Sequence, residues 1–419
     1  MKKLRITALL LSVLMVLTCA VAMTGCGEEK SGSTENTTTA ANNSAEETEA
    51  PASEGGETAD TTDASTLKIG GIGPITGAAA IYGSAARNGS QIAVDEINAA
   101  GGIGGRQIEF RFEDDVHDAE TSVNAYNTLM DWGMQILVGT VTSTPCIAVS
   151  PIAYEDRVFT LTPSASSTDV TVGKDNVFQL CFSDPNQGTG AATYIGNYLA
   201  DSKIAVFYRN DDAYSQGIRD TFVAEAANLG LNIVYEGTFT EATATDFSVQ
   251  LTAAKNAEAD LIFLPMYYQP ASVIFTQAAA MDYAPKFFGV DGMDGILALD
   301  GFDPALAEGV LVLTPFSADA SDDLTKNFVA KYQEQFGEIP NQFAADGYDC
   351  VYAIKKAYEE AGCTADMTTE QLCDALIASI TSITFDGLTG TGMTWNTSGE
   401  VGKLPMAVVI ENGAYVSAN

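Results

Sequence analysis

Between Ile136 and Ser167 the chain reads ILVGTVTSTPCIAVSPIAYEDRVFTLTPSASS, a stretch dense in hydroxyl side chains. Ile136-Leu137-Val138 is a short apolar run, as a buried parallel strand would be, and Gly139 ends it. A helix is predicted to follow, with Ser143 or Thr144 as N-cap and Pro145 at its first position. Free N–H groups and the positive end of the helix dipole suit such a terminus to an anion. A second strand, Val158 to Leu161, delivers Thr162-Pro163-Ser164-Ala165-Ser166 to the same sheet edge. No Lys or Arg lies between Gly139 and Glu155, so a carboxylate held here would be held by hydroxyls and N–H groups. Two ordinary strand-to-helix loops with helix caps are the alternative reading of the same residues.

The remaining chemistry-bearing residues narrow the choice. His117 is the single histidine, which excludes multi-histidine metal sites and a second histidine for catalysis. It follows Glu113-Asp114-Asp115 at a predicted strand end, where a solvated loop is expected in preference to a metal cluster. There is no Gly-x-Ser-x-Gly, so hydrolysis by a nucleophilic serine is not indicated. A net charge of −35 argues against nucleic acid and anionic membrane as partners. Five cysteines lie beyond the first 26 residues, at 146, 181, 350, 363 and 373. Five is odd, so at least one stays free; Cys363 and Cys373 could pair outside the cell, with buried free thiols as the alternative.

The elements that position these residues follow from periodicity. Residues 1–25 read as an export signal, with Lys2, Lys3 and Arg5 before an apolar core from Ile6 to Leu17. Met23-Thr24-Gly25-Cys26 resembles a bacterial lipobox, so Cys26 is the expected lipidation site; an uncleaved membrane helix is the alternative. Residues 26–65 are rich in Ser, Thr, Ala, Asn and Glu and lack aromatic residues, the composition of a disordered acidic linker. Such a coil spans on the order of 35 Å.

From Leu67 the pattern is strand, helix, strand, helix, strand, helix, strand. Helical stripes fall at Ala85, Gly89, Ile92, Ala93 and Ile97 and at Val123, Tyr126, Leu129 and Met130. After Phe182 a second series of similar size begins. It includes predicted strands at 203–208, 232–235, 260–264, 286–290 and 309–314. Three helices follow, at 324–336, 344–360 and 369–380, then short strands at 393–395, 407–410 and 414–416. The 419 residues thus hold two α/β units, each a doubly wound parallel sheet.

Ile72-Gly73-Pro74-Ile75-Thr76-Gly77 followed by Tyr82-Gly83 resembles the start of the branched-chain amino-acid-binding proteins of ABC transporters. So do Ala93 to Gly105, Leu161 to Ser164, Asp212 to Gly217 and Gln342 to Asp349, and the resemblance covers essentially all of Leu67 to Asn419. It implies a type I periplasmic binding protein, a receptor and not an enzyme, with no cofactor and no metal. Lobe one is expected at residues 66–183 and 315–395 and lobe two at 184–314 and 396–419, joined by a three-segment hinge. A ligand would bind between the lobes, which close over it.

Site roles carry over as expectations. Ser143 is to hold an α-carboxylate. The carbonyl of Ser164, next to Ala165, is to take the α-ammonium, and Ser166 is to touch both groups. Tyr214 and Tyr267 are to close over the ligand, and Asp291, where the family often has glutamate, is to pair with the ammonium. Tyr82, Val141, Thr142 and Phe343 are to form the side-chain pocket. The partners implied are an aliphatic amino acid or related zwitterion, the transmembrane permease of an ABC transporter and, through the lipid anchor, the outer face of the cell membrane; a monomer is expected. Relatives also bind amides, urea or aromatic acids, and a sensory binding module uses the same lobes. A dinucleotide-dependent enzyme is the remote alternative: Gly71-Ile72-Gly73 follows a strand, but Pro74 and the long loop to Tyr82 spoil the close turn it needs.

Overall fold

The computed structural model describes residues 66–403 and 405–418. The export signal, Cys26 and the linker lie outside the described residues. Among the described residues no helix is long and apolar enough to cross a membrane.

Sheet one contains β1 (Thr66–Gly73), β2 (Gln107–Asp114), β3 (Ile136–Gly139), β4 (Phe159–Thr162) and β5 (Val177–Gln179), in the order β2-β1-β3-β4-β5. All are parallel. Every residue of β3 and β4 is buried, which is why both read as continuous apolar or small runs; β2, at the edge, alternates. The pairings Ile72 with Gly139, Val138 with Leu161 and Thr162 with Gln179 bring the carboxyl ends of the strands to one edge. Helices α1 (Ala80–Ala99), α2 (Ala119–Trp132) and α3 (Ser143–Glu155) follow the first three strands.

The chain then crosses over. Helix α4 (Asp184–Tyr198) opens the second lobe, and β6 (Lys203–Arg209), α5 (Ala213–Leu229), β7 (Asn232–Phe239), α6 (Ser248–Asn256), β8 (Leu261–Leu264), α7 (Tyr268–Ala280), β9 (Lys286–Gly289) and β10 (Leu311–Thr314) follow. The chain returns through α8 (Asp323–Phe336), α9 (Gln342–Glu360) and α10 (Thr369–Ile380), which pack on sheet one and its helices. Gly89 and Gly347 mark the close crossing of α1 and α9: a Cβ on either would fall 1.8 Å or 2.2 Å from a backbone carbonyl oxygen of the other helix. A hairpin, β11 (Phe385–Gly387) with β12 (Gly390–Met393), precedes the last crossing. Then β13 (Met406–Glu411) and β14 (Ala414–Ser417) complete sheet two, ordered β14-β13-β10-β9-β8-β6-β7, with β13 antiparallel to both neighbours.

Three segments therefore join the two sheets, and buried polar groups tie them together. Lys403, in the third, donates from Nζ to Leu180 O in the first (3.2 Å), to Asp346 Oδ1 of α9 (3.1 Å) and to Thr389 Oγ1 (2.8 Å). Thr314, at the start of the second, donates to Gln342 Oε1 (3.4 Å).

The structure corrects several expectations. Residues 393–395 do not form a strand: β12 ends at Met393, and Trp395 makes one isolated bridge to Val401 while its indole N–H donates to Gln179 O (2.7 Å). Strands β5 and β11 have three residues each, too few to show a period in the sequence. Cys363 and Cys373 are both free. Each is buried as an apolar side chain, one at the C-terminal cap of α9 and the other on the buried face of α10.

Candidate ligand-binding cleft

The lobe-one wall is built from the loops after β3 and β4. Helix α3 begins at Ser143, with Thr142 as its extended N-cap residue and no side-chain cap. Neither Ser143 nor Thr144 caps it, because both lie inside its first turn, and the hydroxyl of the N-cap residue Thr142 turns to His117 Nδ1 (2.9 Å) instead. Pro145 is the third residue of the helix and not the first, still within the first turn, where its missing N–H is one of the four that no helical carbonyl would satisfy. Ser143 Oγ accepts from Ser167 N (3.2 Å), joining the two loops and leaving its own proton to donate. Ser164 Oγ donates to Val141 O (2.6 Å), and Thr162 Oγ1 donates to Thr140 O (2.6 Å). Ala165 points its side chain into a small core with Cys146, Val170 and Val177, so only its backbone borders the loops.

The lobe-two wall is aromatic and acidic. Tyr214 sits in the first turn of α5, which Asp212 caps by accepting from Ser215 N (3.1 Å). The Tyr214 hydroxyl donates to Asp291 Oδ1 (2.5 Å) and accepts from Gly292 N (2.9 Å). The Tyr214 and Tyr267 rings stack at 4.8 Å between centroids. Position 292 has to be glycine, since a Cβ there would lie 2.6 Å from the Tyr214 oxygen and 2.8 Å from the Tyr267 ring. Gln187 Oε1 accepts from Asp291 N (3.2 Å), and Gln342 Nε2 donates to Asp291 O (2.6 Å). Burial raises the Asp291 carboxyl to about 6, against the lowering effect of the Tyr214 hydrogen bond and of the Gln187 side chain nearby.

The two walls touch. The Tyr82 hydroxyl of α1 donates to Gly292 O and accepts from Tyr268 N (3.2 Å), and the Tyr268 hydroxyl donates to Ala78 O (2.9 Å). The Tyr82 ring meets Tyr267 at 5.2 Å and Phe343 at 4.4 Å between centroids. Thr144 Oγ1 donates to Asp212 Oδ1 (3.2 Å) across the lip. Outside Tyr267 a cavity of about 730 Å³ opens, bordered by Ala78, His117, Arg209, Asp212 and Gln269.

Four residues that sequence reasoning passed over belong to this cleft. His117 lies in neither a solvated loop nor a metal cluster. It hydrogen-bonds Thr142, packs 5.4 Å from the Tyr267 ring and has its pKa lowered by burial. Among the described residues no group of three His, Cys, Asp or Glu side chains is arranged to hold a metal. Asp184 and Gln187 lie three apart on α4, hence on one face. Asp184 is 1 % exposed, and neither of its carboxylate oxygens has a hydrogen-bond partner in the protein. Burial pushes its pKa well up, opposed only in part by the nearby Ser166 hydroxyl. Its backbone N–H donates to Ser166 O (2.9 Å), which fixes the acid beside that loop. Gln342 is the fourth. The Asp-Pro-x-Gln spacing at 184–187 is the one sequence signal that could have found the α4 pair.

Polar atoms are thus unequally satisfied around the cleft. Ser166 Oγ, both Asp184 oxygens and Gln187 Nε2 are buried without partners. By contrast the hydroxyls of Tyr82, Thr142 and Ser164, beside Val141 and Phe343, are all engaged within the protein.

Residues 66–414 match the family model described as periplasmic binding protein. The chain is 31% identical over 307 residues to a Leu/Ile/Val-binding protein homologue of Brucella melitensis, covering 72% of this chain and 80% of that protein. It is 30% identical over 334 residues to a leucine-, isoleucine-, valine-, threonine- and alanine-binding protein of Pseudomonas aeruginosa, covering 78% and 85%. Its structure is similar to that of the branched-chain amino acid transporter substrate-binding protein LivJ of Streptococcus pneumoniae in complex with isoleucine. The TM-score is 0.75 at 29% identity, over 84% of this chain and 99% of that one.

Proposed function

Because this chain belongs to the branched-chain amino-acid-binding family of type I periplasmic binding proteins, which are solute receptors of ABC transporters and not enzymes, we propose that it captures an aliphatic amino acid between its lobes and hands it to a membrane permease. The observation that carries this reading is the unequal satisfaction of polar atoms. A zwitterionic head group supplies the partners that Ser166, Asp184 and Gln187 lack, and an aliphatic side chain suits a wall whose hydroxyls are already engaged.

The assignments follow from that division. The carboxylate takes the Ser143 proton and the free N–H groups at the start of α3, where the helix dipole is positive. Ser166 stands between carboxylate and ammonium. The ammonium is shared by Asp184 and by Asp291, which Tyr214 orients. Aspartate at 291 reaches one methylene less than glutamate, and Asp184 supplies the second acid. The side chain lies against Tyr82, Val141, Thr142 and Phe343, and burying a Leu-sized group there contributes about 1.5–3 kcal/mol. A hydroxyl on the ligand would meet no free partner on that wall, at a cost of about 1–3 kcal/mol. The lobes we assign are 66–183 with 315–395 and 184–314 with 396–419.

Calorimetry on protein unfolded and refolded to strip carried-over ligand tests the reading. Leucine, isoleucine and valine are expected to bind, threonine more weakly, and Ser143→Ala to lose about tenfold in affinity as one charge-assisted bond is removed. Silence across the amino acids, with binding of an amide, urea or an aromatic acid, would refute the ammonium assignment at Asp184 and Asp291.

Delivery to a permease requires that the receptor stay near the membrane. We place that tether at Cys26, acylated after cleavage of residues 1–25, with residues 26–65 as the spacer. Cys26→Ala is expected to move the protein from the membrane fraction of expressing cells to the soluble fraction. Retention of the variant in the membrane would contradict the anchor.

A further inference from the structure

A second chamber, of about 720 Å³, lies between the lobes away from the cleft just described. One side is the first turns of α1 and the end of α8, with Ile81 and Tyr332; the other is Leu297, Ala298 and Tyr415 of lobe two. Its volume is within the range of small-molecule sites. The lobes meet at its floor, where a Cβ on Gly295 would lie 2.7 Å from the Ile81 side chain. Its shape therefore depends on how far the lobes have closed.

The chemistry of the lining is one-sided. The walls are mostly apolar, with Ser84, Thr314, Ser317, Gln333 and Asn341 among them, and the charged side chains that border it, Asp294, Asp319 and Glu338, are all acids, with no Lys, Arg or His among the lining residues. A cavity lined by one sign of charge between low-dielectric walls concentrates the opposite sign. Tyr332, Tyr415 and Phe316 add aromatic rings to the lining, and a cation that reaches the face of one is attracted further. The lining therefore favours an apolar body carrying a positive head and disfavours an anion.

The floor is wired to the cleft. Asp294 is buried, and its Oδ1 accepts from Gly295 N (2.8 Å) and its Oδ2 from Gln342 N (2.9 Å). Gln342 in turn donates from Nε2 to Asp291 O (2.6 Å) and precedes Phe343. One residue thus links the acid under this chamber to an acid and an aromatic residue of the cleft.

We propose that this chamber is a second binding site, for a small apolar amine, whose occupancy favours the closed lobes and so strengthens capture of the amino acid in the cleft. The binding claim stands on the chamber alone; the coupling claim rests on the amino-acid reading given above. Since both walls contribute, the amine prefers the closed arrangement, and the amino acid must raise amine affinity by the same factor as the amine raises its own.

The probe is 2-phenylethylamine, titrated calorimetrically into the full chain with and without saturating leucine. 2-Phenylethanol and phenylacetate serve as neutral and anionic controls. Saturable binding of the amine that persists in leucine, exceeds both controls, and tightens about fivefold or more with leucine is expected. Ala298→Trp, at an exposed position of the wall, is expected to abolish amine binding, and with it any effect of leucine on the amine, while leaving the melting temperature of the ligand-free protein unchanged. Asp319→Asn with Glu338→Gln is expected to erase the preference for amine over alcohol. Amine binding that leucine displaces, equal binding of amine and phenylacetate, or no saturable binding would each overturn the second site. Should leucine itself fail to bind while the amine still does, the cleft reading and the coupling fall and the second site stands.

Discussion

Asp184→Asn is expected to weaken amino-acid binding roughly 10- to 100-fold, the range for losing one hydrogen bond to a charged group. Asp184 keeps two unpaired carboxylate oxygens in a buried position beside Ser166, whereas one oxygen of Asp291 is already committed to Tyr214. A ligand ammonium would therefore find its freest acceptors at Asp184, and Asp291→Asn is expected to cost less. The pH dependence follows from the same burial. In the empty cleft the Asp291 carboxyl sits at about 6 and Asp184 is raised as well, burial being the first cause for both. A bound ammonium favours their ionised forms. Binding near pH 6 therefore releases protons, and affinity rises with pH through that region and falls below it. Calorimetry at pH 5, 6 and 7, in buffers of different ionisation heat, reads both the affinity and the proton release. Wild-type affinity that is flat from pH 5 to 7, or an Asp184→Asn variant that binds normally, would show that the ammonium is held elsewhere.

Lys403→Met is expected to destabilise the fold by about 3–5 kcal/mol, the range for removing one partner of a buried ion pair. Lys403 and Asp346 side chains are each 2% exposed. The lysine uses all three of its protons, on Leu180 O, Asp346 and Thr389. Asp349, one turn along α9, accepts from Leu388 N (2.8 Å), Thr389 N (2.9 Å) and Thr389 Oγ1 (2.7 Å), so it cannot offer the lysine's partners a substitute donor. Burial already raises the Asp346 carboxyl to about 7 in spite of the ammonium beside it. Without Lys403, Asp346 would have to be protonated or stay charged and unpaired, and either is costly. Adding Asp346→Leu to Lys403→Met removes that stranded charge and is expected to recover much of the loss. Urea denaturation of the two variants measures this directly. A single variant within 1 kcal/mol of the parent would mean that the pair is not what ties the crossings together.

Much of this architecture is legible in the sequence, and the reasons differ by residue. Buried parallel strands such as β3 announce themselves because both faces must be apolar, and helices such as α2 because one face must be. Ser143 and Ser166 stand out because they follow such strands in loops free of Lys and Arg. Asp184 does not, because Asp-Pro at a helix start is an ordinary opening to a helix. Its role depends on Ser166, which precedes it by 18 residues on the other side of a crossing. His117 misleads for the opposite reason: three acids before it suggest solvent, yet the loop after β2 turns its ring against Thr142 and Tyr267. Whether Tyr82, Tyr214 and Tyr267 are core or cleft residues is undecidable from spacing, since only the meeting of two lobes gives them a shared surface.

The five thiols of the described residues are all buried. Burial pushes each above its ordinary value, Cys146 and Cys373 to about 12 and Cys181, Cys350 and Cys363 upward as well. The thiolate is the reactive species, so none of these positions competes for an alkylating dye or an oxidant while the protein is folded. A single cysteine placed on the exposed lip of the cleft, at Gln269 for example, would then be the one labelled position of the two lobes. A fluorophore there would sit at the edge of the cavity that lobe movement reshapes, which makes this scaffold ready to serve as an optical sensor for its own ligand.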